Sequence, residues 1–231
     1  MTNKTITQLD AAQSLNDNMV IAVQDTNATY KTTLSDVKAY CSSGGDAYAV
    51  GDRVTDDSDN DVGMVSGFFT DANDQKYAVV CLNAVDRLAG GQYLSSDVEI
   101  TGLSSYNNQT LWSATETATT NTTAILGMSG YTSSACTHCR SKSYTIDGVS
   151  YAGQFPNLVE LVDIFRSRVK INTDDPTATQ YSSLVVPTST YSWSSTQYNS
   201  SYGCGIGTTG SANANTKSTS AFVIPVLEIP L

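Results

Sequence analysis

The chain has 231 residues with 22 acidic against 12 basic side chains, a formal net charge of −10, and only 15% of its positions are charged. No basic run is present to release counterions from a phosphate backbone, so nucleic acid is not an expected partner. No apolar run reaches the ~18 residues of a membrane helix, and the opening MTNKTITQLD lacks the basic and apolar regions of a secretion leader, so the expectation is a protein made soluble in a cytoplasm.

In chain order, NMVIAVQ predicts a strand, DTNA a tight turn, TYKTTL a second strand and SDVKAY a short helix, with Thr33 and Asp36 spaced as a capping box. A hairpin with one helical turn buries little surface and needs a partner to be stable, which marks residues 1–45 as an attachment module. Ser42, Ser43, Gly44, Gly45 and Asp46 form a linker. The main body, residues 46–231, opens with VGMVSGFFT, turns at DANDQ and continues as KYAVVCLNAV, a β-hairpin facing a core.

Residues 90–132 are rich in Thr, Asn and Ser around an isolated Leu111 and Trp112, and read as loops and short strands. A short helix is predicted over Ser134 to Lys142, with Ala135, Cys136 and Cys139 on one side. In PNLVELVDIFRSRVK, Leu158, Leu161, Val162, Phe165 and Val169 recur at spacings of three and four, Asn157 can cap and Glu160 stands at the third helical position. The final strand is expected over Ala221 to Leu227. The fold class is α+β: a small anchor followed by a larger body with two helices, short antiparallel strands and long loops.

Two motifs carry possible chemistry. Asp57, Asp59 and Asp61 alternate as in a calcium loop, but the glycine, Gly63, comes one position late and Phe68 stands where a bidentate Glu belongs; a solvated acidic turn is the reading. Cys136 and Cys139 enclose His138, the one histidine. A zinc site needs two further ligands, haem attachment needs His after the second Cys, and no redox fold surrounds the pair, so Cys41, Cys81, Cys136, Cys139 and Cys204 are read as free, mostly buried thiols. With one His and no nucleophile elbow, no catalytic residue, metal or cofactor is assigned.

The stretch TYSWSSTQYNSSYG from Thr190 is polar but aromatic. Tyr191 and Trp193 share one face of a strand, and their small hydroxyl neighbours can bond backbone groups inside a core. The polar half from Gln197 to Ser201 reads as a loop. YSWSSTQYNSSYG, the later Lys217-Ser218 and the closing FVIPV resemble a bacterial and phage module with the C-type-lectin fold, similar to the C-terminal domain of the Legionella collagen-like adhesin. GQFPNLVEL resembles that family's entry to its second helix, and Ala135 to Cys139 fits its first. The resemblance covers roughly residues 48 to 231. It departs at Ile224, where the family has Arg, and at Gln154-Phe155, where it has an aromatic residue, any residue and Leu. It implies a structural core motif of Phe155, Pro156, Glu160, Leu161, Tyr191, Trp193 and Pro225.

The same fold includes formylglycine-generating enzymes and calcium-dependent lectins. Cys204 stands alone where the enzyme has a catalytic pair, and the sugar-binding triplets of the lectins are missing. Phage receptor-binding proteins of this fold display Tyr, Asn and Ser near the C-terminus, which implies a ligand-binding surface of Tyr198, Asn199, Ser200, Ser201, Tyr202, Asn213, Asn215 and Lys217; the alternative is a solvated loop. The first forty residues resemble the attachment modules of phage fibre proteins, and the composition resembles that of Bacteroides phages of the crAss-like group, whose capsids carry head fibres. The resemblance thus implies a virion protein that is no enzyme: a homo-oligomeric fibre bound to other virion proteins through residues 1–45 and displaying its body to host or mucosal glycans. The alternatives are a head-fibre or capsid-decoration component making only protein contacts and, third, a formylglycine-generating-like enzyme.

Overall fold

The computed structural model describes residues 20–25, 28–33, 48–106, 115–174, 191–207 and 211–231, with backbone alone at 20–25, 28–33 and 168–174. The chain divides into two units, Met1–Ala47 and Tyr48–Leu231. In the first, β1 (Val20–Asp25) and β2 (Ala28–Thr33) pair antiparallel from Val20 opposite Thr33 to Asp25 opposite Ala28. The helix expected at SDVKAY, the linker, Cys41, Leu111 and Trp112 lie outside the described residues.

The second unit is mixed α+β. One sheet has β3 (Arg53–Thr55), β4 (Asp61–Thr70), β5 (Lys76–Leu82) and, at the far end of the chain, β13 (Val226–Pro230), in the order β13-β5-β4-β3. The other has β6 (Leu88–Gln92), β9 (Ser192–Gln197), β10 (Tyr202–Ile206), β11 (Ala212–Thr216) and β12 (Ser220–Val223), in the order β11-β10-β9-β12-β6. A small hairpin, β7 (Ser143–Ile146) and β8 (Val149–Ala152), forms a separate two-stranded sheet. The described residues hold three α-helices, one more than the body was expected to have: α1 (Ala118–Leu126), α2 (Ser134–Arg140) and α3 (Leu158–Asp174).

The β4–β5 hairpin follows the apolar pattern of its sequence, with one interruption. The register slips between Val65 and Gly67, leaving Ser66 as an extra residue whose hydroxyl donates to Val79 O at 3.0 Å. A bulge reverses the side-chain parity. Met64 and Phe69, five apart, therefore enter the core beneath α3, while Val65 and Phe68, three apart, face the opposite cluster with Val80 and Leu227.

Helix α3 starts with the expected capping box: Glu160 N donates to Asn157 Oδ1 at 2.9 Å and Asn157 N to Glu160 Oε2 at 2.8 Å. Its Leu158, Leu161, Val162 and Phe165 are buried with Ile224 and Val226. Helix α2 buries Ala135, Cys136 and Cys139, and Ser133 caps it by accepting from Cys136 N.

Helix α1 corrects the reading of residues 90–132 as loops and strands. ATTNTTAIL has weak intrinsic helix preference, but Thr117 caps it, accepting from Thr120 N at 3.0 Å, and Ala118, Asn121, Thr122 and Ile125 form a buried face. The final strand is corrected as well. Ala221 to Leu227 is not one element, because β12 ends at Val223 and β13 begins at Val226 in the other sheet. Pro225 has no N–H to continue the first ladder, and its carbonyl accepts from Leu82 N at 3.0 Å, which carries the chain across.

Candidate functional site

Trp193 is fully buried and meets the rings of Tyr191 and Tyr93 edge to face, at centroid distances of 4.9 and 5.5 Å. Its Nε1 donates to Thr219 O at 3.1 Å, satisfying the one polar group of the indole. The glycines of β10 make room for this stack. A Cβ on Gly205 would lie 2.2 Å from Ser192 O and 2.6 Å from the Tyr191 ring, and one on Gly203 2.7 Å from the Tyr93 ring.

The residues after Trp193 stay inside. Ser194 Oγ donates to Cys204 O at 2.9 Å, Ser195 Oγ donates to Pro156 O at 3.1 Å, and Thr196 Oγ1 accepts from Leu158 N at 2.9 Å. Gln197, expected in the loop, is instead the last residue of β9. It is fully buried, with Oε1 accepting from Ile100 N at 2.9 Å and Nε2 donating to Ser105 Oγ at 3.2 Å. The turn to the surface is thus Tyr198 to Ser201.

Lys217, placed among the displayed residues by the sequence, lies inside. Its exposure is 0%, and its three N–H groups donate to Val98 O (2.7 Å), Gln197 Oε1 (2.5 Å) and Ser200 O (2.8 Å). Burial, opposed by Glu99 and Asp97, lowers its pKa to about 8. Its main chain also donates to Ser201 O, so it supports the turn from below.

The remaining candidates divide between two faces. Asn199 Oδ1 accepts from the amides of Ser201 and Tyr202, both at 2.9 Å, and folds the turn over. Ser200 and Tyr202 are exposed, and Tyr198, Asn199 and Ser201 half-buried. Tyr202 shares a side of the sheet with Cys204 and Ile206, and Tyr198 packs against that same core. Asn213 and Asn215 stand opposite Gly205 and Gly203, on the other side. The Tyr191 hydroxyl donates to Asn213 O at 2.5 Å. The structure therefore gathers Tyr198 to Tyr202 and separates them from Asn213 and Asn215.

Of the core motif, Phe155, Pro156, Glu160, Leu161, Trp193 and Pro225 are buried and Tyr191 is half-buried. Glu160 forms a pair that the sequence did not reveal. Its Oε1 receives no hydrogen from the protein, and its neighbour Glu228 offers only another carboxyl group. Burial first, and Glu228 second, hold its pKa well above the usual carboxylate range, which favours the protonated acid. Glu228 accepts from Ala118 N (2.7 Å), Thr119 N (2.9 Å) and Thr119 Oγ1 (2.6 Å) at the start of α1. One carboxyl pair thus joins the first turns of α1 and α3 to β13. The apolar run around Glu228, VIPVLEIPL, was its only sequence signal.

Cys81, Cys136, Cys139 and Cys204 are free and buried, and burial pushes the thiols of Cys136 and Cys204 up to about 12. His138 Nε2 donates to Asp86 O at 2.6 Å beside an open depression of about 500 Å³ lined by Leu88, Ser133, Ser134, Thr137 and Ser141. In the acidic turn, Asp56 Oδ1 accepts from Ser58 N and Asn60 N, Asp57 binds Gly148 N, and Asp61 pairs with Arg53 at 2.6 Å. Among the described residues no group of three or more His, Cys, Asp or Glu side chains is placed to hold a metal ion, and no helix is long and apolar enough to cross a membrane. Comparison with protein-family models, curated proteins and solved structures found no match.

Proposed function

We propose that the chain is a non-enzymatic virion protein of a phage: residues 1–45 attach it to other virion proteins in a homo-oligomer, and residues 46–231 form a C-type-lectin-like body that displays the Tyr198–Tyr202 turn to host or mucosal glycans. One observation carries this reading. The stretches that resemble the lectin-fold module, far apart in sequence, are bonded to one another around Trp193. Pro156 O, at the entry to α3, accepts from Ser195 N at 2.7 Å. Gln154 and Val226 exchange two backbone bonds at 2.8 and 3.0 Å, and Phe222 N donates to Tyr191 O at 2.9 Å. A rigid body with an exposed Tyr, Asn and Ser turn suits recognition at low entropic cost, and multiple copies would raise a feeble single-site affinity.

A second reading, a head-fibre or capsid-decoration component of the crAss-like kind that makes only protein contacts, is favoured by the division of the candidate residues between two faces. Multivalent protein on glycan arrays and host cells separates the two. Binding that falls when Tyr202→Ala and Asn199→Ala are introduced supports display, and no binding to any sugar or cell leaves the decorative role. Deleting residues 1–45 should remove the protein from particles, whereas a free enzyme would lose nothing by that deletion.

A further inference from the structure

The two large sheets end in four edge strands, and three of them are guarded. β3 is three residues long and carries the Arg53–Asp61 ion pair. β13 is bridged by Gln154 at Val226 and ends on Pro230. β6 is covered by α2, where Gln92 N donates to Ser134 Oγ and Ser133 Oγ to Gln92 O. β11, with the sequence ANANT, has no charge, proline or bulge of the kind that usually blocks an edge.

Its ladder with β10 is bracketed by Gly207 N donating to Ser211 O (2.9 Å) and Lys217 N donating to Ser201 O (3.2 Å). Odd-numbered residues therefore turn their main-chain groups toward β10, and Ala212, Ala214 and Thr216 turn theirs outward. Thr216 is already occupied, its N–H by Asn215 Oδ1 at 2.9 Å and its carbonyl by Thr219 N at 3.0 Å. The N–H and C=O of Ala212 and Ala214 have no partner among the described residues.

We propose that β11 is a pairing edge to which the β11 of a second copy of this chain adds, antiparallel about a two-fold axis at Asn213. In that register Ala212 of each copy faces Ala214 of the other. All four outward groups of each strand are then used, and the two Asn213 amides meet as a non-hydrogen-bonded pair. Shifting the axis to Ala214 sets Ala212 against Thr216, whose groups are taken. A second copy fits for an electrostatic reason too. The chain carries −10 overall, yet β11 has no charged side chain, and the acidic Asp97 and Glu99 lie beside the Lys217 ammonium, so two copies of the strand place no charge of their own on the seam. The pairing uses the outer edge of β11, not the Tyr198–Tyr202 turn, and does not depend on the virion reading.

The test compares the full-length chain with Ala214→Pro and Ala214→Lys by sedimentation velocity over a concentration series, with far-UV circular dichroism as the check on folding. Proline removes only an outward N–H, which edge strands tolerate, and lysine charges the seam. Both should weaken self-association by at least ~10-fold. In the unmodified chain, hydrogen exchange at the Ala212 and Ala214 amides should slow as concentration rises, while the amides of Asn213 and Asn215, already bonded to β10, should not change. Should the proline variant lose its native spectrum, the lysine variant and the exchange data decide. The proposal is overturned if the variants associate like the unmodified chain, or if Ala212 and Ala214 exchange at one rate at every concentration.

Discussion

Replacing Trp193 by alanine should destabilise the body more than any other single truncation in its aromatic cluster. A fully buried tryptophan removes ~150–250 Å² from water, and at ~25 cal/mol per Å² that corresponds to ~4–6 kcal/mol. The substitution also leaves Thr219 O without its donor and the Tyr191 and Tyr93 rings without the edge they pack against. Compact denatured states reduce the transfer contribution, so the expected loss is about 3–5 kcal/mol, or a Tm lowered by ~6–20 °C for a body of this size. Trp193→Phe, which keeps a ring but loses the indole hydrogen bond, should fall between the two. Thermal melts followed by circular dichroism measure this directly. In a Trp112→Phe background the Trp193 emission should be blue-shifted and insensitive to acrylamide. A Tm within 2 °C of the unmodified protein, with an indole open to quencher, would refute the packing on which the proposed display surface rests.

Three further outcomes follow from the same contacts. Gly205→Ala places a Cβ 2.2 Å from the fixed carbonyl of Ser192 and should cost about 2–4 kcal/mol by urea titration; a neutral effect would mean that β9 and β10 are not so close. Glu160 holds its proton in the folded state above the pH at which an unfolded carboxyl releases it, so stability should be full below about pH 4.5 and should decline as pH rises toward the folded pKa. Glu160→Gln keeps a neutral hydrogen-bonding group there, and the decline should vanish from its pH–stability profile. Lys217→Met leaves the buried Gln197 Oε1 and the partly buried carbonyls of Val98 and Ser200 without their donor and should cost about 1–3 kcal/mol; an unaltered urea midpoint would mean that the turn does not rest on that ammonium.

What could be read from the chain was mostly local. The 3.6-residue period and Asn157–Glu160 spacing define α3 within one segment, and the apolar strands flanking DANDQ make the β4–β5 hairpin visible. Helix α1 was hidden because part of what holds it, the Glu228 carboxylate at its first turn, lies 110 residues away from Ala118. Lys217 looked like a surface charge for a related reason. Its acceptors come from Val98, from Gln197 and from Ser200, and nothing adjacent to it in sequence announces them. The break between β12 and β13 was available, since Pro225 cannot donate to a ladder; the apolar run on both sides of it masked the change of sheet. Of the candidate surface, the turn built by Asn199 could be seen as a polar stretch between strands. The separation of Asn213 from Tyr202 depends on the β10–β11 register, which single-chain periodicity does not provide.

The account is tested most directly by mass spectrometry of virus particles purified from cells that produce this chain. Peptides of the chain that stay with the particles through density-gradient purification, and disappear when residues 1–45 are deleted, are the predicted result. A chain found only in the soluble fraction, with none on particles, would contradict it.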